Sequence, residues 1–138
     1  RQIILNKGSK DGVEVGSAVV GPGGLLGRVS STSFLTSSVM LLTSPESQVG
    51  VWIDRLQVNG LMVGLGDDYP KLIFYTKDVD IKIGDFILSS PASTVLPPNI
   101  PVGIVQNINK DNSQKYANVL LLGRPQAIDW VQILKVKI

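Results

Sequence analysis

Apolar residues fall along this chain in short bursts, each closed off by glycine, proline or a serine-rich tract, and no burst holds a helical period beyond a turn. Residues 49–53 set the type. Val49, Val51 and Ile53 alternate with Gly50, Trp52 and Asp54, the period-2 pattern of a strand with one buried face. Similar runs at 18–20, 25–29, 39–43, 61–65, 71–76, 86–88, 102–108 and 115–122 predict further strands. Residues 1–5 read as a strand or as the end of an upstream helix. In 130–138, Leu134, Val136 and Ile138 alternate with Lys135 and Lys137, which read as the solvated side of an edge strand. A helical turn is the alternative over 127–133.

The punctuation between these runs is specific. Gly21-Pro22-Gly23-Gly24 has the Pro-Gly centre of a type II turn and predicts a hairpin. Asn59-Gly60 predicts another, between 55–58 and 61–65, and residues 109–113 a third. Residues 30–38 read as a polar loop. Residues 84–103 carry Pro91, Pro97, Pro98 and Pro101 between two short strands. Proline fixes φ and removes a ladder donor, so this stretch is a stiff join rather than a helix or a central strand.

Two halves of the sequence repeat. Residues 11–20 align with 79–88, Leu26-Gly27-Arg28-Val29 with Val102-Gly103-Ile104-Val105, and 39–45 with 119–125. Residues 49–53 then align with 130–134, in the same order. The predicted architecture is therefore all-β: two small six-stranded-type β-barrel lobes packed together and related by an internal repeat. The expected division is 1–60 for the first lobe and 61–138 for the second, with strand exchange between lobes allowed by the repeat.

Composition narrows the chemistry. The 138 residues are 43% hydrophobic, enough for one domain or two lobes with a real core. The 13 basic and 11 acidic residues leave a net charge of +2, and the cations are scattered, which argues against a nucleic-acid footprint. Cysteine and histidine are absent, so disulfides, thiol nucleophiles and the commonest general base and metal ligand are excluded. No run reaches the roughly 18–20 apolar residues that cross a bilayer. The glycines at 21–24 miss the dinucleotide spacing, and no serine has a lysine three residues on or a Gly-x-Ser-x-Gly elbow. Asp78, Asp80 and Asp85 lack calcium-loop spacing and read as exposed turn carboxylates. No catalytic residue, metal ligand or cofactor site is predicted.

Apolar residues at turns and strand ends remain to be explained. Trp52, Tyr69, Leu72, Phe74, Leu96, Pro98 and Ile100 are the candidates for a docking groove between lobes, where aromatic anchors dominate affinity. Core filling is the competing reading of the same residues.

Leu5-Asn6-Lys7-Gly8-Ser9-Lys10-Asp11-Gly12-Val13 with Val15-Gly16, Gly24-Leu25-Leu26-Gly27-Arg28-Val29, residues 39–43 and 60–66, Ile83-Gly84-Asp85 and residues 97–105 together resemble the extracytoplasmic β-domain of the MreC family of rod shape-determining proteins. The resemblance covers nearly the whole chain. It departs at Pro91-Ala92-Ser93-Thr94, where the family has a glycine-rich turn, and at Asn99, where glycine is usual. It implies a double barrel of trypsin-like topology without catalytic residues. It also implies a periplasmic or extracytoplasmic location and a membrane anchor and coiled coil upstream of Arg1. The implied role is a non-enzymatic scaffold of cell-wall elongation that binds a penicillin-binding transpeptidase, MreD and, through it, MreB, and that self-associates into dimers or filaments. A small nucleic-acid-binding barrel and a degenerate wall-polymer hydrolase are the alternatives from other classes.

Overall fold

The computed structural model describes residues 2–76, 78–93, 95–112, 114–125 and 131–134. The strand periodicity is realised in β1 (Gln2–Leu5), β2 (Ala18–Gly21), β3 (Gly24–Thr32), β4 (Ser37–Leu41), β5 (Gln48–Ile53) and β6 (Val58–Val63). It continues in β7 (Lys71–Phe74), β8 (Phe86–Ser89), β9 (Pro101–Asp111), β10 (Gln114–Leu121) and β11 (Gln132–Leu134). The helical turn expected over 127–133 falls mostly outside the described residues, as do Lys135 and Lys137; 132–134 are strand.

These strands form two antiparallel sheets. The first runs β1-β4-β3-β2-β11; the second closes into a six-stranded barrel, β10-β7-β6-β5-β8-β9. Their division does not fall at residue 60. β5 and β6 belong to the barrel, and β11, late in the chain, returns to the first sheet on β2. The fifth strand of each half is thus lent to the other half's sheet.

The duplication is visible in backbone hydrogen bonds. Gly16 N–H donates to Val29 O at 2.8 Å and Gly84 N–H to Val105 O at 2.9 Å; both glycines hold φ above +90°. Val29 N–H returns a bond to Ser17 O, and Val105 N–H to Asp85 O. Gly27 and Gly103 are likewise paired: a β-carbon would lie 2.1 Å from Met40 O in one and 2.5 Å from Leu120 O in the other. One alignment shifts. Ile53 pairs with Ile87 and Ile133 with Val19, so Ile133, not Leu134, is the counterpart of Ile53. A one-residue slip would turn every side chain to the wrong face.

The Asn59-Gly60 hairpin is corrected too. Both residues lie inside β6, and the turn sits at 54–57 with Gln57 at φ 53. Gly60 is required where β6 crosses β7, since a β-carbon would meet Ile73 O at 2.7 Å. Pro22-Gly23, by contrast, is the expected hairpin turn between β2 and β3.

Two cores follow from the two sheets. Val19, Leu26, Val29 and Val39 fill the first sheet. The barrel core, with Val51, Ile53, Met62, Leu72, Ile87 and Val119, also takes in Ala18, Leu25 and Leu42 from the first lobe. This shared burial explains why residues 24–27 of β3 are buried on both faces. It also holds the lobes together.

Candidate protein-interaction site

The proposed docking residues separate into two groups. On β7 the alternation points Leu72 and Phe74 into the barrel, at 0% and 6% exposure. Leu96 and Ile100 anchor the proline-rich join in the same core. These four are core residues, and the docking assignment is corrected for them: each sits on the inward phase of its segment, where burial removes it from any partner. Trp52 faces outward from β5 and is half-buried, its indole N–H without an acceptor among the described residues. Tyr69 and Pro98 are exposed. Tyr69 and Asp68 border a groove of about 860 Å³ between the lobes, walled by Leu25, Leu42 and Leu121, with Arg124 on its rim.

The proline join is tied down by serines. Ser89 Oγ donates to Pro97 O at 2.8 Å and accepts Ile100 N–H at 2.8 Å, while Ser93 Oγ accepts the N–H groups of Val95 and Leu96. Ser90 Oγ donates to Asn59 Oδ1 across to β6. Asn99 takes φ 61, the left-handed conformation that asparagine tolerates better than most side chains, so it stands in for glycine.

Residues 78–85 cap the barrel, with Val79 and Ile81 buried beneath. Asp78 and Asp80 are exposed, but Asp85 is not: it is 8% exposed, which corrects its reading as a surface carboxylate. Arg55 Nε and Nη2 donate to the two Asp85 oxygens at 2.8 and 2.9 Å, and Nη2 also donates to Asp80 O. Lys82 N–H completes the cradle at 2.8 Å. The hydrogen bonds from Arg55 hold the Asp85 carboxyl below the usual aspartate range against the opposing effect of burial. This is a clamp between segments, with both carboxylate oxygens accepting hydrogen bonds. Among the described residues no group of three or more acidic side chains is placed to hold a metal ion.

Sequence reasoning missed another surface. The β3–β4 turn at 33–36 exposes Phe34 and Leu35 at 68% and 57%. Ile4 of β1, beside Leu5 which pairs with Ser37, is 64% exposed. The tip is braced: Ser33 O accepts Ser9 N–H at 2.8 Å, Phe34 O accepts Lys10 N–H at 3.1 Å, and Ser33 N–H donates to Thr36 O at 2.9 Å. The available signal was the Phe-Leu pair set inside a serine- and threonine-rich tract.

Fold and surface together define a class: a duplicated, strand-exchanged β body that presents rigid faces. The family model described as "Rod shape-determining protein MreC, barrel core" matches residues 1–135, and the chain belongs to the MreC family. The cell shape-determining protein MreC of Caulobacter vibrioides is 36% identical over 135 residues, 97% of this chain and 38% of that protein. The crystal structure of MreC from Pseudomonas aeruginosa has a TM-score of 0.89 at 28% identity, covering 96% of this chain and 88% of that one. Two further structures share the fold. The major periplasmic domain of the cell shape-determining filament MreC has a TM-score of 0.80 at 22% identity, covering 99% and 89% of the two chains. MreC in complex with PBP2 from Helicobacter pylori has a TM-score of 0.73 at 20% identity, covering 87% and 77%. The chain spans about a third of the length of the curated relatives it matches.

Proposed function

We propose that this chain is a non-enzymatic scaffold of the cell-wall elongation machinery, acting outside the cytoplasm to maintain cell shape by binding a penicillin-binding transpeptidase. The observation that carries the reading is the braced Phe34–Leu35 tip on a body of this family: an apolar anchor already held in place binds without the cost of ordering a loop. A neighbour of the same fold is found in complex with PBP2, which supports a partner of that kind. Trp52, Tyr69 and Pro98 remain secondary contact candidates, with Tyr69 at the inter-lobe groove. Self-association, contact with MreD and indirectly MreB, and a membrane anchor preceding Arg1 belong to the same proposal; no described helix is long and apolar enough to cross a membrane.

The test is a binding titration of the folded chain against an elongation transpeptidase, with Phe34→Glu and Leu35→Glu as variants. Each substitution weakens binding by about tenfold or more, as loss of a hot-spot anchor does, while the unfolding temperature stays put. Absence of binding by the intact protein contradicts the proposal.

A further inference from the structure

We propose that the outer face of β9 and β10 carries a binding site for an uncharged, N-acetylated glycan, built on the side chains of Asn107, Asn109 and Asn118. The site stands apart from the Phe34–Leu35 tip, and nothing in it depends on the transpeptidase reading.

Strand register brings the three together. Asn107 and Asn109 on β9 lie opposite Asn118 and Tyr116 on β10, and Asn118 lies opposite Lys71 on β7. A β-bulge sets the face they share. Val105 pairs with Val119 and Asn107 with Asn118, so Gln106 is the extra residue. It lets Val105 and Ile108 both pack on the barrel core while Asn107 and Asn109 turn outward. Asparagine is depleted in strands, because its amide competes with the ladder for backbone groups. Three side by side on one face therefore do not serve the sheet. Their amides are bonded to one another instead. Asn109 Nδ2 donates to Asn107 Oδ1 at 2.8 Å and to Asn118 Oδ1 at 3.0 Å, and Asn118 Nδ2 donates to Tyr69 O at 3.4 Å. This fixes the orientation of each amide and uses both hydrogens of Asn109 Nδ2. Both hydrogens of Asn107 Nδ2, one of Asn118 Nδ2 and the Oδ1 of Asn109 have no partner among the described residues. Asn107 is exposed and the other two are half-buried, so a ligand reaches all three.

The chemistry of the cluster decides what fits. It is uncharged, offers donors and an acceptor together, and is ordered before a ligand arrives, which lowers the cost of binding. An acetamido group presents one C=O and one N–H, the complement of that set, and sugar hydroxyls act as either. Tyr69, whose carbonyl ends the network, is 42% exposed and adds an aromatic ring for the C–H face of a sugar. Other ligands fit less well. Lys71, opposite Asn118, is drawn onto Tyr116, its Nζ 4.4 Å from the ring centroid, and Lys110 and Lys115 pair on the other phase of the hairpin. A phosphate polymer needs clustered cations on one face. A peptide strand needs a free backbone edge, and β9 and β10 are each paired on both sides in the closed barrel.

The probe is the soluble β-1,4-linked tetramer of N-acetylglucosamine, titrated into isotope-labelled protein, and the readout is the side-chain amide resonances. Those of Asn107, Asn109 and Asn118 shift together and saturate. Asn109→Ala, which removes the amide that orders the other two, weakens binding by about fivefold or more. Asn107→Ala does the same at an exposed position, so a folding defect in one variant leaves the other to decide. Gln114→Ala, on the same hairpin outside the cluster, changes nothing. The glucose tetramer of the same linkage, which has no acetamido groups, binds at least about fivefold more weakly, and raising salt to about 0.5 M leaves the affinity as it was. Absence of a shift, shifts confined to other residues, or native affinity in both asparagine variants overturns the proposal. So does equal affinity for the glucose tetramer. Equal affinity for a capped tetra-alanine peptide means a peptide site, and binding lost at high salt means a charged ligand; either result overturns it too.

Discussion

Asp85 joins two segments: its own turn before β8, where it also accepts Lys82 N–H, and the β5–β6 turn through Arg55. Asp85→Asn loses a charge-assisted pair at a buried acceptor and lowers stability by about 1–3 kcal/mol, measured by urea unfolding at pH 7. The pH dependence has a definite sign. The folded-state pKa lies below the unfolded value, near 3.9, so the contribution is present at neutral pH. It declines as pH falls through the ordinary aspartate range and is gone below the folded value. The gap between the native protein and Asp85→Asn therefore narrows under acid; a gap that stays constant with pH would mean that the ionised state of Asp85 contributes nothing. The sequence could not reveal this pair, because its partners stand 30 residues apart and only the fold joins them. Ser89 is similar. Ser89→Ala leaves Ile100 N–H and Pro97 O without their partner and costs about 1–3 kcal/mol, whereas Asn99→Gly, at φ 61, is neutral or mildly stabilising. Thermal unfolding separates the two.

The strands were legible because period-2 alternation and turn residues are local signals, and β2–β3, β5 and β9–β10 all follow them. Turn chemistry failed at Asn59-Gly60, where close packing of β6 on β7, and not a reversal, is what requires the glycine. The docking residues failed for a related reason. Alternation tells which residues of β7 share a face but not which face is inward, and Leu72 and Phe74 took the inward one. The repeat was the strongest non-local signal, since it fixes equivalent close approaches. Gly27→Ala and Gly103→Ala each force a β-carbon onto a backbone carbonyl, so both lower stability by about 1–3 kcal/mol or more, read by chemical denaturation. A loss at one position without the other would break the equivalence. Strand exchange was not legible in the halves themselves, yet it makes the lobes unequal. All six barrel strands lie within 48–121, while the first sheet needs β11 from the far end. A fragment of residues 48–125 therefore unfolds cooperatively by circular dichroism, and residues 1–47 alone do not; the reverse outcome would contradict the topology.

At the scale of the molecule, the barrel core takes in Ala18, Leu25 and Leu42 of the first lobe, so the exposed tip and the inter-lobe groove are held in fixed relation. A scaffold needs this property: partners bound to separate faces are positioned by the body between them, and pre-ordered contacts bind at less entropic cost. The family resemblance was already legible across nearly the whole sequence, because glycines and turn motifs at the repeat junctions mark it. The exposed apolar tip was not, because exposure of Phe34 and Leu35 depends on the hairpin tip being pinned to Ser9 and Lys10. The most direct measurement is the dissociation constant of this protein with an elongation transpeptidase, compared with that of the Phe34→Glu, Leu35→Glu double variant at matched unfolding temperature. Saturable binding that weakens by about tenfold or more, as loss of a hot-spot anchor does, is the predicted result; binding of equal strength, or none by the native protein, would contradict it.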